Sequence, residues 1–139
     1  MKFKFRLEKV LHVRKMEEDE ARNKVLHRQK ELREEEERLQ VLRRERQDVL
    51  EFGRSQDDLV LRAAAYQYLE RLENRIHRQQ QVVADCEVRL RQARSEFFTA
   101  RQKKKVLENL RARRYEEFVI EQQRAEQKVL DDIGARVRA

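Results

Sequence analysis

The chain has 139 residues, 44% of them charged and 39% hydrophobic, with no tryptophan and a formal net charge of +7 at pH 7. Its mean hydropathy of -1.05 is too low for a globular domain of this length, which would need a larger apolar core. No apolar segment approaches the roughly 18 residues that cross a membrane, and the charged N-terminus leads into no signal-peptide segment. We therefore expect a cytosolic protein without a transmembrane segment.

Two long helices are predicted from the absence of helix breakers. The sequence contains no proline, and its two glycines, Gly53 and Gly134, lie between and after two stretches of heptad-spaced apolar residues. Proline and glycine are the poorest helix formers, so each stretch can form one uninterrupted helix. The predicted fold is all-α, a single antiparallel coiled-coil hairpin over residues 1–139. Helix one spans about 3–51, the turn about 52–58, and the longer helix two about 58–133.

Both predicted helices carry an apolar seam of heptad a and d positions. In helix one the apolar positions are Leu7, Leu11, Ala21, Val25, Leu32, Leu39, Leu42 and Val49, and the polar ones are Arg14, Glu18, Arg28, Glu35 and Arg46. The apolar a and d positions of helix two are Ala65, Leu69, Leu72, Ile76, Val83, Cys86, Leu90, Ala93, Phe97 and Ala100. The one polar residue among the a and d positions of helix two is Gln79. Cys86 is the only cysteine, so we interpret it as a small apolar seam residue.

A turn at 53–58 also predicts which residues face each other. When the chain folds back at this turn, a residue of helix one faces the residue of helix two for which the two numbers add up to about 111. Leu39 is therefore predicted to face Leu72. Each such pair sets an a position against a d position, as an antiparallel coiled coil requires. The residues suited to capping and beginning helix two are Ser55, Asp57 and Asp58.

Helix two is predicted to extend beyond helix one. At a rise of about 1.5 Å per residue, the residues from about Leu107 onward have no partner helix in this chain. This segment still contains the apolar residues Leu110, Tyr115, Phe118, Val119, Ile120, Ala125, Val129, Leu130 and Ile133. A lone helix in water does not keep so many apolar residues without burying them. Phe3 and Phe5 could cover part of the segment, and we expect a partner protein to bury the remainder.

Charge is distributed unevenly along the chain. Residues 101–114 hold seven Lys and Arg residues against one Glu, a net charge of +6. Residues 45–58 hold five acidic residues against two Arg, a net charge of -3. The candidate basic residues for partner binding are Lys103, Lys104, Lys105, Arg111, Arg113 and Arg114. Such a cluster suits an acidic protein surface, anionic lipid or nucleic acid, and a solvated helix face is an equally good interpretation.

The sequence contains no arrangement that is typical of an active site. Its three histidines are scattered, and it has no HExxH motif, Cys/His ligand set, glycine-rich phosphate loop or nucleophile elbow. Two packed helices also offer no enclosed pocket in which a catalytic pKa could be tuned. We therefore predict a non-enzyme without catalytic residues, cofactor or metal site.

Two segments have a distinctive order of aromatic, basic and acidic residues. The first runs from Phe3-Lys4-Phe5-Arg6-Leu7-Glu8 through Leu11 and Arg14 to an acidic stretch that ends in Ala21. The second is Tyr66-Gln67-Tyr68-Leu69-Glu70-Arg71-Leu72-Glu73. Both segments resemble the flagellar export protein FliJ family, and with the layout of the two helices the resemblance covers almost the whole chain.

The resemblance implies a coiled coil like the central stalk of rotary ATPases, acting in the type III export apparatus that builds the bacterial flagellum and supports motility. The implied partners are the hexameric FliI-like export ATPase, the export gate protein FlhA, export chaperones and the ATPase regulator FliH. The implied location is the cytoplasm, peripherally at the inner face of the membrane by the flagellar basal body.

The resemblance also implies a set of residues for gate and partner contacts. The matching positions in this sequence are Leu42, Val49, Tyr68, Leu72, Arg75 and Gln79. Tyr68 is the strongest candidate, because it is aromatic and lies outside the predicted seam. A structural role suits the seam residues at least as well, and these are Leu42, Val49, Leu72 and Gln79.

Two other classes of protein fit parts of the sequence. A stalk subunit of a rotary ATPase, or of a virulence type III secretion system, would have the same two helices with a different ring partner. A nucleic-acid-binding coiled coil would use residues 103–114, but the chain lacks the heptad-flanked basic fork and the stacking aromatics of such proteins. Flagellar export, which the resemblance implies, is the preferred hypothesis, with no specific nucleic acid as partner and the stalk subunit as the open alternative.

Overall fold

The computed structural model describes residues 2–138, and nearly all of them lie in two helices. Helix α1 spans Glu8–Ser55 and helix α2 spans Leu59–Arg138, with 48 and 80 residues respectively. The predicted fold class, an all-α hairpin whose second helix is the longer, is confirmed. The bounds differ from the prediction, because α1 begins and ends later than residues 3 and 51 and α2 continues through Gly134.

The two helices contribute to two compact units. The turn unit consists of Ala21–Phe97 and contains the connection between α1 and α2. The terminal unit consists of the residues up to Glu20 together with those from Phe98 onward. Each unit has its own cross-helix contacts, and each candidate surface described below lies within one of them.

The core of the turn unit is the predicted apolar seam. Its buried residues are Leu39, Ala65, Leu69, Leu72, Val83, Cys86, Leu90 and Ala93. All eight occupy predicted a or d positions, so the assignment of the buried face is confirmed for them. Each large aliphatic side chain removed from water stabilises the unit by about 1.5–3 kcal/mol, which explains why helices with so many charged residues associate.

The turn occupies residues 56–58 and is held on both sides by side-chain hydrogen bonds. Ser55 Oγ donates to the carbonyl oxygen of Phe52 at 3.0 Å. Asp58 Oδ1 accepts the backbone N–H of Val60 at 2.9 Å, so Asp58 is the N-cap of α2. The capping role predicted for this region is thus carried by Asp58.

Gly53 lies inside α1 and not in the turn, in contrast to the prediction. A β-carbon at this position would lie 3.4 Å from Cβ of Ala65, which is an ordinary van der Waals contact. Glycine costs about 1 kcal/mol in a helix relative to alanine, but a single glycine does not end one that is packed along its length. Helix α1 therefore continues to Ser55, and the turn comes later than predicted.

The later turn changes the register of the two helices. The predicted partner of Gly53 is Asp58, but Gly53 lies against Ala65, seven positions further along α2. The predicted register, which pairs Leu39 with Leu72, is therefore wrong by about one heptad. The seam is unaffected, because a shift of seven residues returns each a or d position to the interface.

Ion pairs in the turn unit agree with this shift. Lys24 Nζ lies 2.9 Å from Glu96 Oε2, and Arg46 Nη2 lies 3.4 Å from Glu73 Oε1. The predicted register would place Lys24 opposite residue 87, nine positions before Glu96, and Arg46 opposite residue 65, eight positions before Glu73. Both pairs are exposed and contribute little stability, so they report the register and do not determine it.

Candidate partner-binding surfaces

A segment outside the helices precedes α1 in the terminal unit and ends in a turn at residues 6–7. Its apolar side chains are half-buried and its basic ones are exposed, in the alternating order Lys2, Phe3, Lys4, Phe5, Arg6 and Leu7. Because half-buried and exposed residues alternate, the basic side chains share the solvent side of this segment. The segment therefore presents a row of cations to solvent.

An aromatic cluster anchors this segment to α2. The ring centroid of Phe3 lies 5.3 Å from that of Tyr115 and 5.5 Å from that of Phe118. The guanidinium of Arg111 lies 5.6 Å from the Phe3 ring centroid, a cation–π distance. The expectation that Phe3 covers part of the extended helix two is confirmed. Residues 123–138 of α2, in contrast, are all exposed.

One predicted basic residue, Lys104, points into the core of the terminal unit. Its Nζ lies 2.6 Å from Oε2 of Glu18, whose residue is only 4% exposed. Removal of a carboxylate from water is costly unless a cation compensates it. Lys104 is thus a structural partner of Glu18, one of the polar residues of the predicted seam, and not a solvated charge.

Two more of the predicted basic residues form exposed ion pairs. Arg111 Nε lies 2.9 Å from Glu8 Oε2, and Arg114 Nη1 lies 3.3 Å from Glu117 Oε2. The three remaining predicted cations are Lys103, Lys105 and Arg113. They are exposed and form no ion pair within residues 2–138. The predicted cluster thus divides into three residues engaged by the fold and three available to a partner.

An open groove of about 650 Å³ lies on the turn unit, lined by residues of both helices. Three of the predicted contact residues, Leu42, Arg75 and Gln79, line this groove. Val41 and Val82 line it as well and are 58% and 40% exposed, which adds apolar surface. The remaining lining residues are charged, namely Glu34, Glu37, Arg38, Glu45 and Arg78. Apolar surface with a charged rim is typical of a protein interface.

Tyr68 lies at the surface and is linked to this groove through Glu45. Its hydroxyl donates a hydrogen bond to the Glu45 carboxylate, which itself lines the groove. This hydrogen bond raises the pKa of Tyr68, because the carboxylate holds the hydroxyl proton. Tyr68 is 37% exposed, in agreement with its predicted place outside the seam.

Leu72 and Val49, the predicted contact residues that do not line the groove, hold the helices together, and so does Gln79 at the base of the groove. Leu72 is 1% exposed, and Val49 is half-buried. Gln79 Nε2 donates to the backbone oxygen of Glu35 at 3.0 Å and to its Oε2 at 2.6 Å, so it forms a polar layer between the helices. A partner could reach Leu72 only by separating α1 from α2.

Sequence reasoning missed several residues of these surfaces. Val41 and Val82 lie outside the a and d positions, and their apolar side chains beside the seam were the only available signal. The contact of Glu45 with Tyr68 depends on the register of the helices, which the heptad pattern leaves open. The cation–π contact of Arg111 with Phe3 depends on an N-terminal segment outside the helix, for which the alternation of aromatic and basic residues was the signal.

Burial makes the single thiol unreactive in the native chain. Cys86 is 5% exposed, and desolvation raises its pKa, with a further contribution from nearby Glu35. We expect a thiol-reactive disulfide reagent at pH 8 to modify native Cys86 at least about tenfold more slowly than the urea-unfolded chain. Because the thiol ionises more readily in the unfolded chain, stability should also fall at alkaline pH. Equal rates in the native and unfolded chains would show that Cys86 is solvent-accessible.

Residues 2–138 contain neither a membrane-spanning helix nor a metal-binding cluster. No helix in this range is long and apolar enough to cross a bilayer. No group of three or more His, Cys, Asp or Glu residues in the same range could hold a metal ion.

Comparison with protein families gives a match over nearly the whole chain. Residues 3–138 match the family described as flagellar FliJ protein. Neither the curated proteins nor the solved structures provide a match. The family match agrees with the resemblance carried by the two sequence segments.

Proposed function

Because the chain belongs to the flagellar FliJ family, we propose that it is a non-enzymatic stalk component of flagellar protein export that binds the hexameric export ATPase. A role connected with flagellar export follows from the family itself. The ATPase contact, the gate contact and the chaperone escort are the further parts of this proposal. Membership of a flagellar family favours this function over a rotary-ATPase or virulence-secretion stalk.

The observation that carries the ATPase contact is a group of exposed cations on more than one side of the terminal unit, called the basic face below. Lys103, Lys105 and Arg113 are exposed and form no ion pair within residues 2–138. Packing of Phe3 against Tyr115 and Phe118 holds three further cations on the same unit, namely Lys2, Lys4 and Arg6. Positive charge on a rigid support steers association with an acidic surface and orients the encounter. We assign this face to the export ATPase.

The groove on the turn unit is the proposed contact for the export gate protein FlhA. It combines Leu42, Val41 and Val82 with the exposed cation Arg75, and Tyr68 is joined to its rim by Glu45. An aromatic side chain whose hydroxyl is held by a neighbour loses little rotamer entropy on binding, which favours it as an anchor. Leu72 and Gln79 then support this surface from inside.

Family membership also extends the proposal to export chaperones and the regulator FliH as partners. With such partners, the proposed location is the cytoplasm, peripherally at the membrane by the flagellar basal body. In this role the chain supplies binding surfaces and stiffness, whereas ATP hydrolysis belongs to its partner.

Charge reversal at the basic face tests the ATPase contact. The Lys103→Glu/Lys105→Glu variant should associate with the purified flagellar export ATPase about tenfold more slowly at low salt, because electrostatic steering is lost. Its remaining binding should depend less on salt concentration. The matched control Lys30→Glu/Arg43→Glu changes the same charge on exposed residues of the turn unit and should bind like the unchanged chain. Lys104 is left intact because it supports Glu18.

Circular dichroism should show that both variants remain folded, since exposed charges contribute little to stability. Parallel titrations with duplex DNA should give weak binding without sequence preference, lost near physiological salt. Unchanged ATPase binding of the basic-face variant, together with tight and sequence-selective DNA binding, would favour the nucleic-acid alternative.

A further inference from the structure

An exposed apolar patch surrounds the turn between the helices. We define the turn patch as Phe52, Leu59, Val60 and Leu61, which are 46%, 76%, 76% and 45% exposed. Three of these residues are consecutive and form the first turn of α2. Isolated exposed apolar residues are common, but four of them within ten residues of a highly charged chain are a feature of binding sites.

The fold does not require apolar residues at these positions. Asp58 caps α2 through its own side chain, and the buried residues of α2 begin only at Ala65. First turns of helices favour acidic residues, which interact well with the helix dipole, yet α2 has none there. Leu59 and Val60 expose three quarters of their surface, so they add little to the core.

The border of the turn patch is acidic. The exposed charges that flank the patch in the sequence are Asp48, Glu51, Asp57 and Asp58 against Arg54, and the half-buried Arg62 follows Leu61. Asp48 and Asp57 form no ion pair within residues 2–138. The whole stretch 45–58 has two cations for five acids, a net charge of -3, in a chain whose overall charge is +7. Negative charge thus accompanies the apolar patch on an otherwise basic protein.

We propose that the turn patch is a docking site for a basic amphipathic helix of a partner protein. The apolar face of such a helix would cover Leu59 and Val60, and its lysines or arginines would lie against Asp48 and Asp57. An anionic membrane or a nucleic acid has the wrong charge for this border. The turn patch shares no residue with the basic face or the groove, so the inference does not depend on the proposed function.

The experiment uses the full chain and a synthetic peptide of about 18 residues, or five helical turns. The peptide carries leucine on one helical face and lysine on the other, and binding is measured by fluorescence anisotropy. A second peptide replaces every lysine with glutamate and keeps the leucine face. The lysine peptide should bind at least about tenfold more tightly than the glutamate peptide, a difference of about 1.4 kcal/mol.

Two matched variants locate the binding site. Leu59→Gln/Val60→Gln should weaken binding of the lysine peptide at least about tenfold, because the apolar contact is lost. The control Leu26→Gln/Val106→Gln replaces two apolar residues outside the turn patch that are 56% and 66% exposed. Its affinity for the lysine peptide should stay within about twofold of that of the unchanged chain. Asp48→Asn/Asp57→Asn should lower the affinity and reduce its dependence on salt. Circular dichroism should confirm unchanged helix content in all three variants.

Several results would overturn the proposal. One is equal binding of the lysine peptide to the unchanged chain and to Leu59→Gln/Val60→Gln, and another is equal binding of the two peptides. A third is self-association of the chain in sedimentation experiments that Leu59→Gln/Val60→Gln abolishes, because the occupant would then be a second copy of the chain.

Discussion

Replacement of Leu72 by aspartate is expected to destabilise the turn unit strongly. Leu72 is 1% exposed and lies in the apolar seam of α2. The change removes its packing and places a charge in the interface, which together should cost about 3–5 kcal/mol. Small domains have only about 5–15 kcal/mol of stability in total, so a large fraction of it should be lost. Urea unfolding followed by circular dichroism measures the difference.

Leu26→Asp is the matched control for this experiment. Leu26 belongs to the same unit but is 56% exposed, so its replacement removes little buried surface. The expected loss is within about 1 kcal/mol, including the lower helix propensity of aspartate. Losses of similar size for the two variants would mean that Leu72 is not a core residue and could contact a partner directly.

Replacement of Lys104 by methionine should destabilise the terminal unit. The lysine ammonium lies 2.6 Å from the Glu18 carboxylate, and the two side chains are 22% and 5% exposed. Loss of one member of a fully buried ion pair costs about 3–5 kcal/mol, and since Lys104 is partly exposed we expect about 2 kcal/mol. Lys105→Met is the control, because Lys105 is exposed and should change stability by less than about 0.5 kcal/mol.

A double variant separates the ion pair from the packing around it. Glu18→Leu/Lys104→Leu removes both charges and should be within about 1 kcal/mol of the unchanged chain, or more stable. Such a result would show that the cost of Lys104→Met comes from the carboxylate that keeps its charge. Equal effects of Lys104→Met and Lys105→Met would instead place Lys104 with the solvated charges of the basic face.

The candidate surfaces could be predicted only in part. Tyr68 was identified by its aromatic side chain outside the seam, and it lies at the surface. Glu45, which holds its hydroxyl, lies 23 residues away in the sequence, and only the packed helices bring the two together. Lys104 has the same charge as Lys103 and Lys105, so composition could not distinguish the residue that supports Glu18 from its exposed neighbours.

The sequence by itself determined which face of each helix is buried. Apolar residues recur at a and d positions from Leu39 to Ala93, and a helix can bury them only on one side. Axial register was decided by the tertiary structure, because a displacement of one heptad presents an equivalent seam to the partner helix. Helix α1 continues past Gly53, which lies against Ala65, to Ser55, and the position of the turn then set the register. A periodic pattern specifies an orientation around the helix axis, whereas position along the axis depends on where the chain turns.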